Sequence, residues 1–261
     1  MKPFFISVPH AGEAIPNEVD WLSSLPENIL MCDVDRYVDQ LYKPAAESLG
    51  LPIIVANWHR YVVDCNRLPA DIDQNSVEGS TNGPGLFTIG YHWSKTTTGA
   101  TLMKNPISQK LHQELTEKYF NPFHNEIKKE RKKWREQFPQ VYHLDAHSMP
   151  SKGTDAHRDS GQKRAEIVIS DRDGTSCETR YTELVVAAYK KVGFDVAVNW
   201  PYKGGRVTET YGQPKEGFHT LQVEMNRSLY MDEVTKRKNP ETFSFVQGRI
   251  RQALTMIWES I

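Results

Sequence analysis

The chain has 261 residues, with 32 Lys and Arg against 33 Asp and Glu and a formal net charge of -1. That length is enough for one large domain with a substantial buried core, and the balanced charge, with no block of one sign, argues against a nucleic-acid arm or an acidic tail. Cys32, Cys65 and Cys177 show no C-x-x-C spacing, which fits a reducing compartment better than a disulfide framework.

The first element is "FFISV" at 4–8, an apolar run that reads as a buried strand and stops at Pro9. The leading segment is too short in apolar residues for a signal peptide, and no apolar run reaches the roughly 20 residues of a membrane span, so a soluble cytoplasmic protein is expected. "DVDRYVDQLYKPAAESLG" (33–50) places Val34, Val38, Leu41 and Tyr42 on one helical stripe and ends at Gly50. "PIIVAN" (52–57) is a second strand, followed by "VVDCNRLPAD" (62–71) and the long irregular stretch 68–90, of a length that is usually functional or mobile. Residues 105–138 read as a long helix that bends near Pro122; within it "EIKKERKKWRE" (126–136) carries acids at helical spacing and is read as a solvated face rather than a nucleic-acid patch. Strands at 141–147, 165–170, 195–200 and 219–225 alternate with helices at 176–193 and 240–261. This alternation predicts a layered α/β fold, and the lack of repeats or linkers predicts one domain over 1–261.

The chemistry gathers at strand ends, where open α/β sheets place their sites. His10 and Glu13 follow the first strand as H-x-x-E, with Gly12 letting the backbone curl. Such a pair is either a polar turn with a solvated Glu or two ligands of a metal. A third ligand is offered by "LDAHS" (144–148), where Asp145 and His147 alternate with Leu144 and Ala146 and so share one face. A metal-bound His needs an outer carboxylate or carbonyl on its other ring nitrogen, which Asp145 can supply. His112 and His124 sit on the long amphipathic helix and read as surface or packing residues; His143 lies earlier in its strand, toward the buried end, and His157 falls in a polar loop. Glu224 interrupts an apolar strand at its carboxyl end. It is either paired with Arg227 or a general base. Arg67, with Arg60 upstream, is either a solvated arginine or a bidentate clamp for a substrate carboxylate.

Six segments in order, "SVPHAGEAIP", "DVDRYVDQLY", "VVDCNR", "YHLDAHSMPS", "NWPYKGGRVTETYG" and "LQVEMNRSLYMDE", closely resemble the N-formylglutamate amidohydrolases along nearly the whole chain. That family is similar in fold to the zinc carboxypeptidases and aspartoacylases, which implies a three-layer α/β/α sandwich around a mixed sheet. The resemblance implies one Zn2+, or another divalent metal, on His10, Glu13 and His147, with Glu224 as the catalytic base. It implies that Asn66 and Arg67 correspond to the N-R pair that binds a substrate carboxylate and polarises the scissile carbonyl. It places Arg60, Lys203 and Arg206 near the substrate, Arg206 being expected to hold the side-chain carboxylate. The implied activity is cleavage of N-formyl-L-glutamate to formate and glutamate in histidine degradation, with no nucleic acid or membrane as partner. Another N-acyl amino acid deacylase, a carboxypeptidase-like hydrolase and a metal-free binding module are the alternatives; metal analysis and a comparison of formyl, acetyl and dipeptide substrates separate them.

Overall fold

The computed structural model describes residues 2–261. Six strands, β1 (Phe4–Val8), β2 (Ile53–Val55), β3 (Val141–Met149), β4 (Ile167–Ser170), β5 (Val196–Val198) and β6 (Phe218–Asn226), form one sheet in the order β2-β1-β3-β6-β4-β5. All neighbours run parallel except β4 and β6, which are antiparallel. The helices are α1 (Asp20–Ser23), α2 (Glu27–Leu30), α3 (Val38–Leu49), α4 (Gln109–Leu115), α5 (Asn121–Arg135), α6 (Thr179–Lys191), α7 (Arg206–Tyr211) and α8 (Phe243–Ser260). None is long and apolar enough to cross a membrane.

Strand parity decides the layers, because alternate side chains face opposite sides of a sheet. Ile6, Leu144, Leu221 and Val223 enter one core with Leu41 of α3, Val185 of α6 and Leu254 of α8. On the opposite face Phe5 and Val141 meet Ile127 and Trp134 of α5 and the loop residues Tyr61 and Trp93. That second face is polar toward the strand ends: Ser7, His143, Asp145, His147, Gln222 and Glu224 are all buried there. The two cores sandwich the sheet in three layers, as the sequence resemblance implies.

The connections create the crevice. β1 leads to β2 through α3, which packs in the first core, while β2 returns to β3 through α4 and α5 across the other face. The order in which strands are added thus reverses between β1 and β3, with the next connection crossing to the other face, and a ligand crevice opens at the carboxyl ends of strands at such a point.

Two helices depart from their sequence-predicted bounds in instructive ways. The predicted helix 33–50 begins only at Val38, because Tyr37 takes a left-handed conformation (φ 70°) and interrupts it. Residues 33–36 are left as a strap, with the Asp35 amide donating to the His10 carbonyl at 3.0 Å. The predicted helix 105–138 is split by a π-helical turn at Thr116–Phe120. Pro122 has no N–H to give and its ring crowds the preceding turn, and a widened turn absorbs both. The basic stretch is a solvated face, with Lys129 and Lys133 each 3.1 Å from Glu126 and Glu130.

Gly12 is required for close approach rather than for a curl. A Cβ there would lie 2.4 Å from the Asn57 carbonyl carbon and 2.5 Å from the Ala56 oxygen. Backbone cannot give way as a side-chain tip can, so overpacking at this position carries its full cost. Gly12→Ala is expected to lower stability by about 2 kcal/mol in urea unfolding, and a midpoint equal to that of the parent would contradict this account.

Candidate functional site

His10 lies just past β1 and His147 near the end of β3, and their rings meet edge to face with centroids 4.8 Å apart. Between them stands Asp35, from the strap before α3. Its Oδ2 is 3.1 Å from His147 Nδ1 and 3.5 Å from His10 Nδ1. The far nitrogens are both held: His10 Nε2 lies 2.7 Å from Asp64 Oδ1, and His147 Nε2 lies 2.7 Å from Asp145 Oδ2. All five residues are buried. A buried carboxylate accepts, so each Nε2 donates to its outer partner, and each Nδ1 faces Asp35 Oδ2. Three electron-pair donors converging in this way repel one another unless a proton or a cation sits among them. His10, Asp35 and His147 offer ligand atoms all within 4.8 Å of one another, and the outer carboxylates are the partners that metal-binding imidazoles use. The donor set therefore fits a divalent cation.

The charges around this focus are compensated from outside. Burial opposes ionisation of Asp35, but hydrogen bonds from His10 and His147 and the charge of Arg227 outweigh it and hold the carboxyl well below its usual range. Arg227 Nη2 donates to Asp35 Oδ1 at 2.9 Å, and the same guanidinium reaches the Cys32 and Asp33 carbonyls. Asp64 Oδ2 accepts from Arg60 at 2.9 Å and from the Trp93 indole at 3.0 Å.

A cavity of about 400 Å³ opens over the two histidines and is lined further by Glu224, Arg67, Lys203 and His157. Glu224 projects from β6 directly beside His147 of β3 in the sheet register. Burial pushes its carboxyl up to about 7, against the pull of the His147 charge. Gln222 donates to its Oε1 at 2.8 Å. The alternative pairing with Arg227 does not form, because that guanidinium is committed to Asp35, Ser148 and the strap carbonyls.

Two sequence expectations are corrected. Glu13 is not beside His10 and His147. The chain after His10 runs on without a helical turn and bridges Ala14 to Trp58. Residues three apart in such backbone face opposite ways, and Glu13 pairs with Arg36 at 2.8 Å on the surface. Asp35 stands where a third ligand was expected. Arg206 lies outside the cavity lining; it grips Asp71 through Nε and Nη2 and also pairs with Glu209. The other residues do gather here. Arg60 lines the cavity with its Nε unpartnered, stacked 4.5 Å from the Trp93 ring. Arg67 bonds only the Asn66 and Ile89 carbonyls, and among the described residues it makes no ion pair. Lys203 pairs with exposed Asp173 at 2.6 Å. Asn66 accepts from the Val207 amide at 2.8 Å and thereby ties the start of α7 to the "DCNR" segment.

Asp35, Asp64 and Trp93 had not been singled out from the sequence. The available signal was their neighbours: Asp35 sits between Val34 and a helical stripe, and Asp64 directly after "YVV". His124 is a packing residue, as expected, although buried; its Nε2 meets the Cys65 carbonyl at 3.0 Å and so supports the same segment.

Known proteins resemble this chain over most of its length. A family model described as N-formylglutamate amidohydrolase matches residues 2–231. The chain is 31% identical over 235 residues to an N-formylglutamate deformylase of Pseudomonas putida, covering 88% of this chain and 82% of that protein. It is 30% identical over 237 residues to one of Pseudomonas aeruginosa, with 88% and 83% covered. The crystal structure of an N-formylglutamate amidohydrolase from Ralstonia eutropha JMP134 superposes with a TM-score of 0.86 at 28% identity, covering 99% of this chain and 93% of that one. A gene product of Agrobacterium tumefaciens shares the fold, with a TM-score of 0.70 at 16% identity. With its family model spanning most of the chain and curated relatives matched over more than four-fifths of their length, the chain belongs to the N-formylglutamate amidohydrolase family.

Proposed function

We propose that the protein hydrolyses the formyl amide of N-formyl-L-glutamate, giving formate and L-glutamate, with one zinc ion held by His10, Asp35 and His147. The observation that carries this reading is the convergence of two Nδ1 atoms and a buried carboxylate beside Glu224, in a chain whose curated relatives are named N-formylglutamate deformylase. Two imidazoles and one carboxylate are a donor set of the kind catalytic zinc uses. A zinc ion bound there supplies Lewis acidity to the scissile carbonyl and to the attacking water. Three unpaired cysteines support a reducing, cytoplasmic setting, with histidine degradation as the source of the substrate.

The protein's own groups carry the rest. Glu224, held near about 7 by burial, takes the proton of the attacking water and delivers it to the departing amine. A base whose pKa lies near the working pH suits both halves of that cycle. Gln222 fixes one of its oxygens, leaving the other for the water. Arg67 has no acidic partner and holds the α-carboxylate close to the scissile carbonyl. Lys203 is the cation we assign to the side-chain carboxylate in place of Arg206, because its exposed pair with Asp173 is of the weak surface kind. Arg60 and Asn66 shape the cavity wall from the same segment.

Four outcomes are expected. In a metal analysis of purified protein, Asp35→Asn loses most of its zinc, whereas Glu13→Gln keeps a full complement and turns over within about threefold of the parent; the reverse result would restore Glu13 as a ligand. Glu224→Gln retains zinc while kcat falls by roughly 10²–10⁴, and a variant that instead loses stability but keeps its turnover would make Glu224 structural. Arg67→Ala lowers kcat/KM by about 10–100-fold on N-formylglutamate and N-formylglutamine alike in a formate-release assay. Arg206→Ala stays near the parent on both, and selective loss on N-formylglutamate in that variant would return the side-chain carboxylate to Arg206.

A further inference from the structure

His143, Ser7 and Thr220 lie beneath the site and do not line the cavity. Ser7 of β1 pairs with Asp145 of β3, and His143 of β3 with Thr220 of β6, in the sheet register. All four are buried, and the His143 ring stacks on Phe5 at 4.2 Å. Their hydrogen bonds can be assigned one proton at a time. Asp145 as a carboxylate only accepts, so the Ser7 hydroxyl donates to its Oδ1 at 2.5 Å. The Ser7 oxygen must then accept from His143 Nε2 at 2.7 Å. That leaves a lone pair on His143 Nδ1, which faces the Thr220 hydroxyl at 3.4 Å. At the other end Asp145 Oδ2 accepts from His147 Nε2 at 2.7 Å, and His147 Nδ1 turns to Asp35.

We infer that Thr220, His143 and Ser7 are positioning residues that fix Asp145 and, through it, the Nε2–H bond and ring orientation of His147, so that its Nδ1 is aimed at the point shared with His10 and Asp35. This deepens the zinc reading above and rests on it for its purpose, although not for its geometry. Every donor in the chain points the same way, from Thr220 through His143 and Ser7 to Asp145. Burial pushes the His143 imidazole down to about 3, so it stays neutral and its single N–H has one direction to give. The two histidines of the site are supported differently. Asp64, behind His10, is bonded to the cation Arg60. Asp145, behind His147, is bonded on its other oxygen to a neutral hydroxyl, so its charge is left for the imidazole. Outer partners of this kind typically change metal affinity by 10–100-fold.

The test uses the full-length chain and two readouts. In metal-free, 15N-labelled protein, two-bond nitrogen–proton correlation reads the His147 Nε2–H directly; the parent is expected to carry that proton, hydrogen-bonded to Asp145, and an Nε2 without a proton would overturn the chain whether or not zinc binds. Zinc affinity is then measured by chelator competition. Ser7→Ala is expected to bind zinc at least about tenfold more weakly than the parent and to lose the protected Nε2–H resonance, with far-ultraviolet circular dichroism unchanged. Affinity within threefold of the parent together with an unaltered His147 spectrum would reduce the three residues to strand packing. Should Ser7→Ala fail to fold, Thr220→Val removes the far hydroxyl at constant volume, and the same two readouts decide. A parent that binds no zinc but shows the Nε2–H form would defeat the metal reading while leaving the hydrogen-bonded chain standing.

Discussion

Everything at this site follows from two imidazoles whose outer nitrogens are already taken. With Asp64 and Asp145 holding the Nε2 protons, His10 and His147 turn their Nδ1 atoms inward onto one shared carboxylate. Around the cavity Asp33, Asp35, Asp64, Asp145 and Glu224 are buried, with Arg60 and Arg227 as buried cations among them and Arg164 reaching the rim through Pro150 and Tyr202. Unbalanced buried negative charge is costly, and it is concentrated at the one place where three ligand atoms converge. The arginines, the strap before α3 and the polar face of the sheet all serve to hold that arrangement in an otherwise apolar interior.

The sheet accomplishes this through parity. One register places Leu144 and Ala146 against the helices and Asp145 and His147 against the cavity; the adjacent strand does the same with Leu221 and Val223 against Gln222 and Glu224. A slip of one residue in β3 would bury the ligand in the wrong layer. Stability and chemistry are therefore written into alternate residues of the same strands, and the reversal of strand order between β1 and β3 leaves the polar set at the mouth of a crevice.

Much of this was legible because parity and burial are local. The strand runs, the polar residues breaking them at His147 and Glu224, and the role of Asp145 behind His147 all follow from spacing. Glu13 misled because H-x-x-E brings two side chains together only on a helical turn, and whether such a turn forms is decided by the 56–59 segment running alongside. Asp35 was hidden inside what reads as a helix, since the left-handed Tyr37 that releases it has no signature of the glycine kind. The commitment of Arg206 to Asp71, 135 residues away in sequence, leaves no trace near either residue.

Arg227 shows how the site depends on the whole chain. Its guanidinium ties together the carbonyls of Cys32 and Asp33, the Asp35 carboxylate and Ser148, across 192 to 195 residues of sequence to the strap. Closing loops of that length is entropically unfavourable and is rewarded only when the late contacts form. During synthesis, His10, Asp35 and His147 all leave the ribosome well before the cation that neutralises Asp35. A nascent chain that has not reached residue 227 carries the ligands without the frame that orients them, so the centre matures as one of the last events of folding, after the C-terminal part of β6 has joined the sheet.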